Sequence, residues 1–511
     1  MKIDPCASGD TEVQMYNVKA LKIHPKDNVA VVIQDIKKGG IIELGENVIS
    51  ALEDIPAGHK FAITNINPKD NVIKYGFPIG HAVSSITAGQ HVHTHNLSTN
   101  LGELLEYSYK PELSACNKID QPDNFWGYLR QDGKVGIRNE IWIVNTVGCV
   151  NKTSELLAAE ANTRFKGSVD GVYAFTHPYG CSQLGEDQEN TQKILAGMVR
   201  HPNAGGVLVL GLGCENNNID EFKKVLGQYD SNRVKFLVTQ EAEDEIEDGL
   251  KLISQLAEYA GSFKRTLQPL SELIVGLKCG GSDAFSGITA NPLVGMLSDK
   301  LLCQGGTTIL TEVPEMFGAE TLLMDRCINE KVFNDTVELI NNFKAYYIQH
   351  KQVIYDNPSP GNKKGGISTL EEKSLGCTQK GGTGNVTCVL EYGEQVGERG
   401  LNLLQGPGND IVAVTALMAA GAQIILFTTG RGTPLGAPVP TVKISTNTEL
   451  SERKKNWIDF DAGKILKGSS MSLVADELYQ YILKLASGEM LARNELNGYR
   501  EIAIFKNGVT L

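Results

Sequence analysis

The stretch GGVLVLGLGCENNNIDEFKKVLGQY (205–229) is the clearest indication of the fold class of this chain. It opens with a nearly continuous apolar run, passes through a polar turn and ends in an amphipathic helical pattern. A strand that is apolar on both faces needs cover on both sides, which is typical of a parallel sheet packed between helices. The stretch therefore predicts an α/β unit.

The same alternation of apolar run and helical pattern occurs in two passes along the chain, separated by a charged segment at 240–272. It predicts a multi-domain α/β protein with mostly parallel sheets, divided into an α/β domain at 125–265 and a C-terminal α/β domain at 266–511. A long helical segment is expected near 319–350. The other predicted strands are IWIVNTVG (141–148), GVYAFTH (171–177), LIVGLKCGG (273–281), TTILTEV (307–313) and AQIILFTTG (422–430).

The first hundred residues have a different sequence pattern. Short β-rich runs at 28–36, 59–66 and 71–79 alternate with turn signals. They predict a small β domain at 15–105. A polar stretch with two prolines follows and predicts a linker at 106–124.

Charge and composition exclude several classes of protein. The 511 residues carry 48 basic and 60 acidic side chains, a net charge of −12, so nucleic acid and anionic membranes are not expected partners. No apolar run approaches about 18 residues, and the N-terminus MKIDPCASGD lacks a signal-peptide pattern. We expect a cytoplasmic protein with ten cysteine thiols and a small-molecule ligand, and the sequence leaves a homo-oligomer open.

Histidines are concentrated in GQHVHTHN (89–96), which holds three of the nine in the chain. In a strand, the period of two would place His91, His93 and His95 on one face, about 6 to 7 Å apart, where two could share a metal ion. Imidazole suits iron, zinc and manganese alike. A solvent-facing row without a ligand is the alternative.

Four cysteines lie just beyond the carboxyl ends of predicted buried strands, where open α/β sheets bind ligands. We predict a metal-binding role for these cysteines, which are Cys149, Cys181, Cys214 and Cys279. Every interval among them exceeds 30 residues, so only tertiary structure could bring them together. His177, in THPYGCSQ, is a candidate proton carrier beside one of them.

Three glycine-rich segments, at 278–292, 375–385 and 428–443, combine turn amides with basic side chains and predict a site for a small carboxylic acid. Glu312, just after a strand, and Lys278 are candidates for proton transfer. The predicted substrate-binding residues are Ser282, Asp283, Lys380, Arg431, Thr433 and Lys443.

These motifs resemble the family of sugar-acid dehydratases that includes altronate and galactarate dehydratases. The matching stretches include NVIKYGFPIGHA (71–82), GQHVHTHN (89–96), THPYGCSQLG (176–185), LKCGGSDAFSGITANP (277–292) and TTGRGTP (428–434). The three histidines resemble the altronate branch. The resemblance implies an N-terminal β-clip (SAF-like) domain, dependence on Fe²⁺ or Mn²⁺, and a hydro-lyase that converts D-altronate to 2-keto-3-deoxy-D-gluconate in hexuronate (galacturonate) catabolism.

We expect a metal-assisted loss of the C2 proton and the C3 hydroxyl. In one hypothesis His93 and His95 hold the metal together with a cysteine or carboxylate, Lys278 or His177 moves the proton, and Arg431 receives a carboxylate. In another the four strand-end cysteines bind an iron–sulfur cluster. Galactarate as substrate and a non-catalytic sugar-acid-binding protein are the alternative functions.

Overall fold

A computed structural model describes residues 17–45, 47–102, 104–114 and 123–508. A small β unit is followed by a larger α/β region with parallel sheets, as predicted. We describe this region as a second and a third unit, each organised around one parallel sheet. The boundaries at 105, 125 and 265 remain predictions, and most of the predicted linker beyond residue 114 lies outside the described residues.

The N-terminal unit is built only of strands and turns. One sheet has the order β4-β3-β1-β2-β5-β8 and the other the order β6-β7-β9. The strands are β1 (Asn17–Leu21), β2 (Val29–Val32), β3 (Ile41–Leu44), β4 (Asn47–Ser50), β5 (Lys60–Ala62), β6 (Asn71–Lys74), β7 (Phe77–Ala82), β8 (His91–Val92) and β9 (Leu97–Ser98).

Two of the sequence predictions for this unit are wrong in detail. The run 71–79 is a hairpin rather than one strand, because Tyr75 (φ 60°) and Gly76 (φ 83°) form its turn. The histidine run is not a continuous strand either: β8 ends at Val92, and residues 93–96 turn back with Asn96 N donating to the carbonyl of His93.

The second unit contains a four-stranded parallel sheet of order β13-β12-β14-β15 and an antiparallel sheet of order β11-β10-β16. All eight residues of β14 are buried, as the opening stretch predicts. The elements are β10 (Asn124–Leu129), β11 (Val135–Gly136), β12 (Glu140–Asn145), α1 (Asn151–Arg164), β13 (Val172–Phe175), α2 (Gly185–Val199), β14 (Ala204–Gly211), α3 (Ile219–Leu226), β15 (Val234–Val238), α4 (Glu245–Gly261) and β16 (Thr266–Pro269).

The third unit is organised around a seven-stranded parallel sheet of order β19-β20-β18-β17-β21-β22-β23. The predicted long helix near 319–350 is two helices, α6 and α7. The elements are β17 (Ile274–Cys279), α5 (Ala290–Cys303), β18 (Thr307–Leu310), α6 (Glu320–Met324), α7 (Glu330–Gln349), α8 (Pro360–Lys364), α9 (Leu370–Cys377), β19 (Val386–Leu390), β20 (Gly400–Leu404), α10 (Asp410–Ala419), β21 (Ile424–Thr429), β22 (Thr441–Ser445), α11 (Thr448–Arg453), β23 (Phe460–Asp461), α12 (Met471–Ala486) and α13 (Arg493–Leu496).

The two α/β units share one apolar core. Trp142 and Val209 of the second unit belong to the same buried cluster as Leu417 and Phe427 of the third. Within the described ranges, no helix is both long enough and apolar enough to cross a membrane.

The segment between the N-terminal and second units, as far as residue 114, has no helix or strand. It runs along the third unit: the hydroxyl of Tyr107 donates to Glu320, and the hydroxyl of Tyr109 donates to the carbonyl of Cys327. The predicted linker is thus attached to the third unit through the side chains of Tyr107 and Tyr109.

Candidate functional site

Four histidines form a cluster at the edge of the N-terminal unit. Pairing of β5 with β8 sets His59 beside the predicted run, and Nδ1 of His59 lies 3.0 Å from Nε2 of His91. Ring centroids of neighbouring histidines lie 5.1 to 5.5 Å apart, with His93 beside His59 and His95 beside His91. The structure therefore brings the three predicted histidines together, although by a turn and not by strand periodicity.

The surroundings of these histidines keep two of them neutral. Burial and the neighbouring His59 lower the pKa of His91 to about 3. Burial and the charge of Lys60 lower the pKa of His93 to about 4. A neutral imidazole is the form that binds a metal ion, and at neutral pH no proton has to leave these two side chains first.

The histidines face a segment of the third unit at 359–373, which we call the shared wall. Nδ1 of His93 lies 2.7 Å from the hydroxyl of Ser368, and Nε2 of His59 lies 3.3 Å from the carbonyl of Lys364. The other face of this wall lines a cavity, described below.

A buried ion triad holds the two units together. Glu372 of α9 accepts from Nζ of Lys60 at 2.8 Å and from Nζ of Lys74 at 2.7 Å, and all three side chains are at most 1% exposed. Burial raises the pKa of Glu372, but the two ammonium groups outweigh it and lower the pKa to about 2. The triad thus fixes the N-terminal unit to the helix that carries Cys377.

Cys279 lies at the carboxyl end of β17 in a compact group of thiols and carboxylates. One ligand atom each of Cys279, Glu315 and Cys377 lies within 4.8 Å of the others, and the two Sγ atoms are 3.4 Å apart. Lys380 donates to the thiol of Cys279 at 2.9 Å. The hydrogen bond between Cys279 and Cys377, together with burial, raises the pKa of the Cys279 thiol.

The predicted proton-transfer residues Lys278 and Glu312 lie behind this group. Nζ of Lys278 contacts Glu312 and donates to Asp410 at 2.8 Å. Burial opposes the charge of Lys278, yet Glu312 and Asp410 raise its pKa above the ordinary value. Burial and the nearby Glu315 raise the pKa of Glu312. Lys278 is therefore a fixed cation between a buried carboxyl with a raised pKa and an outer carboxylate.

A cavity of about 380 Å³ opens in front of these groups. Its polar lining includes Asp410, whose side chain is 37% exposed, and Lys373, which pairs with Glu315 at 2.7 Å. The shared wall contributes Ser359, Asn362 and Lys373. The volume, a thiol, three carboxylates and a lysine suit a small polar acid.

Most of the predicted substrate-binding side chains lie elsewhere. Asp283 accepts from Ser286 N at 3.0 Å and from the hydroxyl of Thr446 at 2.9 Å, so it braces its own turn. Arg431 is exposed and donates to the carbonyl of Gly361 at 3.0 Å. The cavity lining includes Cys279 but none of Lys278, Ser282, Asp283, Glu312, Lys380, Arg431, Thr433 and Lys443.

Lys443 differs from the rest of that set. It is fully buried in β22, and among the described residues its Nζ makes no hydrogen bond. Burial lowers its pKa to about 8.

The hydroxyl of Thr433 accepts from Leu435 N in a local turn, and the carbonyl of Ser282 accepts from the side-chain amide of Asn362.

The other three strand-end cysteines belong to the second unit. Cys149, Cys181 and Cys214 are exposed free thiols, whereas the thiol of Cys279 is buried in the third unit. His177 lies near them, with Nε2 2.8 Å from the carbonyl of Asn145 and Nδ1 accepting from Tyr179 N. Both ring nitrogens are thus engaged by backbone, so we leave His177 out of the proposed chemistry.

Seven described cysteines are free thiols, and Cys303 is disulfide-bonded, so the expectation of ten thiols is wrong.

Sequence reasoning missed His59, Lys373 and Asp410. Asp410 follows β20 at its carboxyl end, so the strand-end rule that selected the cysteines could have found it. His59 could have been found from the pairing of the run 59–66 with the histidine run. No pattern marks Lys373.

Three successive parts of the chain match known protein families. Residues 18–100 match the altronate/galactarate dehydratase SAF domain, 127–261 the D-galactarate dehydratase/altronate hydrolase second domain, and 270–510 the D-galactarate/altronate dehydratase C-terminal domain. The chain is 53% identical to altronate dehydratase of Bacillus subtilis and 52% identical to that of Escherichia coli, each over 96% of this chain and 99% of the relative. Identity to galactarate dehydratase (L-threo-forming) of Escherichia coli is 33%, over 95% of this chain and 96% of the relative.

Proposed function

The chain belongs to the altronate/galactarate dehydratase family, and we propose that it is a hydro-lyase that converts D-altronate to 2-dehydro-3-deoxy-D-gluconate and water. The assignment of altronate as the substrate rests on sequence identity, which is 52 to 53% with altronate dehydratases and 33% with a galactarate dehydratase. The predicted family, fold class and activity are thus confirmed.

We infer that Fe²⁺, with Mn²⁺ as alternative, would be held by the histidine cluster. The ligands would come from His91, His93 and His95, which would have to draw closer around the ion, because among the described residues no three imidazoles lie within 4.8 Å of one another. The cluster fits a divalent ion because the imidazoles of His91 and His93 are neutral and neither side chain is fully buried. The group of Cys279, Glu315 and Cys377 is more compact, but Lys373 and Lys380 already supply positive charge there. When bound, the metal supplies Lewis acidity toward the oxygens of the sugar acid.

The cavity residues supply substrate binding and proton transfer in this proposal. Lys373 attracts the carboxylate of the sugar acid. Asp410 takes the C2 proton, and Lys278 lies hydrogen-bonded between Asp410 and Glu312. The proton can therefore move from the cavity to Glu312, whose raised pKa lets it hold that proton. It returns through the same groups to the C3 hydroxyl, which then leaves as water. The ammonium of Lys278 also stabilises the negative charge that develops on the substrate.

Turnover of two sugar acids tests the function. With Fe²⁺ under anaerobic, reducing conditions, D-altronate is expected to give a 2-keto acid product with kcat/KM about 100-fold or more above that for galactarate, because a site built for one set of hydroxyls and carboxylates leaves polar groups unpaired with the other. Metal-free protein is the control. Preference for galactarate would contradict the substrate assignment, and binding of altronate without turnover would favour a non-catalytic sugar-acid-binding protein.

Metal content tests the histidine site separately from activity. The double variant His93→Ala/His95→Ala is expected to bind Fe²⁺ or Mn²⁺ about 10- to 100-fold more weakly than the wild-type protein, because it loses two imidazole ligands. The measurement is metal per chain after dialysis at a series of free metal concentrations. Cys377→Ser is the matched variant: unchanged binding in the histidine variant and loss in Cys377→Ser would move the metal to the thiol group.

The proposal includes a reducing compartment. Seven described cysteines are free and three of them are exposed, as expected of a cytoplasmic enzyme, whereas the disulfide-bonded Cys303 is an exception to this pattern.

A further inference from the structure

Three exposed thiols lie at one edge of the four-stranded sheet of the second unit. Cys149 follows β12, Cys181 follows β13 and Cys214 follows β14. These strands are direct neighbours and parallel, in the order β13-β12-β14. Because neighbouring strands are only about 4.8 Å apart, their carboxyl ends bring the three cysteine loops together.

Hydrogen bonds join the three loops close to the cysteines. Gly148 N donates to the carbonyl of Tyr179 at 2.8 Å, which links the loop of Cys149 to that of Cys181. Asn217 N donates to the carbonyl of Gly180 at 3.2 Å. The side-chain amide of Asn217 donates to the carbonyl of Thr146 at 2.9 Å, so all three loops are connected.

Each of the three thiols directly follows a glycine, and two of these glycines allow close backbone approach. A Cβ on Gly148 would lie 2.7 Å from the carbonyl oxygen of His177, and one on Gly180 would lie 2.0 Å from that of Thr146. Gly180 and Gly213 also have φ of +96° and +131°. The backbone of this edge is therefore packed tightly, while the thiols remain exposed.

The spacing and softness of the donors identify the kind of ligand. Thiolates select zinc, Cu(I) or iron–sulfur clusters. Among the described residues, only Cys279, Glu315 and Cys377 place ligand atoms within 4.8 Å of one another, so the three exposed thiols are spaced more widely than the ligands of one ion. Several metal atoms bridged by sulfide span such a spacing.

We propose that Cys149, Cys181 and Cys214 bind an iron–sulfur cluster, with one iron left open to an oxygen ligand. The nearest side-chain donor at this edge is Gln240, whose Nε2 lies 3.5 Å from Sγ of Cys214 and offers a hydrogen bond to a thiolate. Cys279, the fourth cysteine of the sequence prediction, has its contacts in the third unit and is not a ligand here. This site is independent of the proposed altronate site.

Cluster reconstitution tests the proposal. The full chain is incubated anaerobically with iron, sulfide and a thiol reductant and desalted, and bound iron, acid-labile sulfide and visible absorbance are measured. Wild-type protein is expected to retain both iron and sulfide. Cys149→Ser, Cys181→Ser and Cys214→Ser should each lower bound sulfide by about 10-fold or more. Cys388→Ser, a free thiol in β19, is the control and should retain sulfide.

Two outcomes would overturn the proposal: reconstituted wild-type protein without sulfide, including protein that holds zinc instead, or a triple serine variant that keeps its sulfide. Far-ultraviolet circular dichroism checks that the variants fold. Altronate turnover is measured on the same samples. Absent sulfide with intact turnover contradicts only the cluster, whereas absent turnover in protein that holds sulfide contradicts only the proposed function.

Discussion

Replacing Asp410 with asparagine is expected to lower kcat for altronate by about 100- to 10,000-fold, with a much smaller change in KM. The side chain lines the cavity and is held by Lys278 at 2.8 Å, and asparagine keeps its shape while removing the proton acceptor. The remaining pair of Lys278 and Glu312 keeps the buried charge compensated, so the variant should fold.

Controls distinguish a proton-transfer role from a structural one. Asp356→Asn changes another carboxylate of the same cavity and should keep activity within a few-fold of wild type, about 1 kcal/mol or less. The Asp410→Asn variant should also lose exchange of the C2 proton of altronate with solvent deuterium. Wild-type kcat in Asp410→Asn, or equal losses in both variants, would contradict the assignment.

Replacing Glu372 with alanine is expected to destabilise the protein by about 3 to 5 kcal/mol. The change leaves the ammonium groups of Lys60 and Lys74 buried without their anion. Because the triad joins the N-terminal unit to α9, detachment of that unit should come first. The measurements are the midpoint of chemical unfolding and the rate of proteolysis at residues 104–114.

Two further variants make this prediction specific. Lys37→Ala removes an exposed ion pair with Asp54 and should cost less than about 1 kcal/mol. The triple variant Lys60→Met/Lys74→Met/Glu372→Leu replaces all three charges by apolar groups and should recover most of the lost stability. An unfolding midpoint unchanged by Glu372→Ala would contradict a role of the triad in holding the units together.

The contribution of Glu372 to stability should also appear in the pH dependence of the free energy of unfolding. The pKa of Glu372 falls from its ordinary value of 4.5 to about 2 in the folded protein. The folded protein therefore binds this proton less readily than the unfolded chain does, and the stabilisation is complete above about pH 4.5 and lost as the pH falls toward 2. Glu372→Gln should remove that part of the acid dependence.

Local pattern was enough for the two parallel sheets. The runs at 141–148, 205–213 and 422–430 became β12, β14 and β21, because a strand buried on both faces must be apolar throughout. The hairpin at 71–79 was missed because Tyr75 adopts a positive φ, and tyrosine is not a residue type from which a positive φ is predicted.

The candidate site was predictable only in part. Strand ends led to Cys279 and Glu312, and the histidine run led to His91, His93 and His95. The triad could not be predicted, because Lys60 and Glu372 are 312 positions apart and a buried lysine has no local signature. The roles assigned to Arg431, Thr433 and Lys443 rested on glycine-rich sequence and remain untested predictions.

The anchored linker sets how far the N-terminal unit could travel if it came off the third unit. Tyr107 and Tyr109 attach the chain to Glu320 and to the carbonyl of Cys327, only a few residues after β9 ends at Ser98. So short a tether keeps the histidines at a local concentration in the millimolar range or above relative to Ser368. Diluting the protein would therefore not separate them, and redocking would proceed at a rate independent of protein concentration.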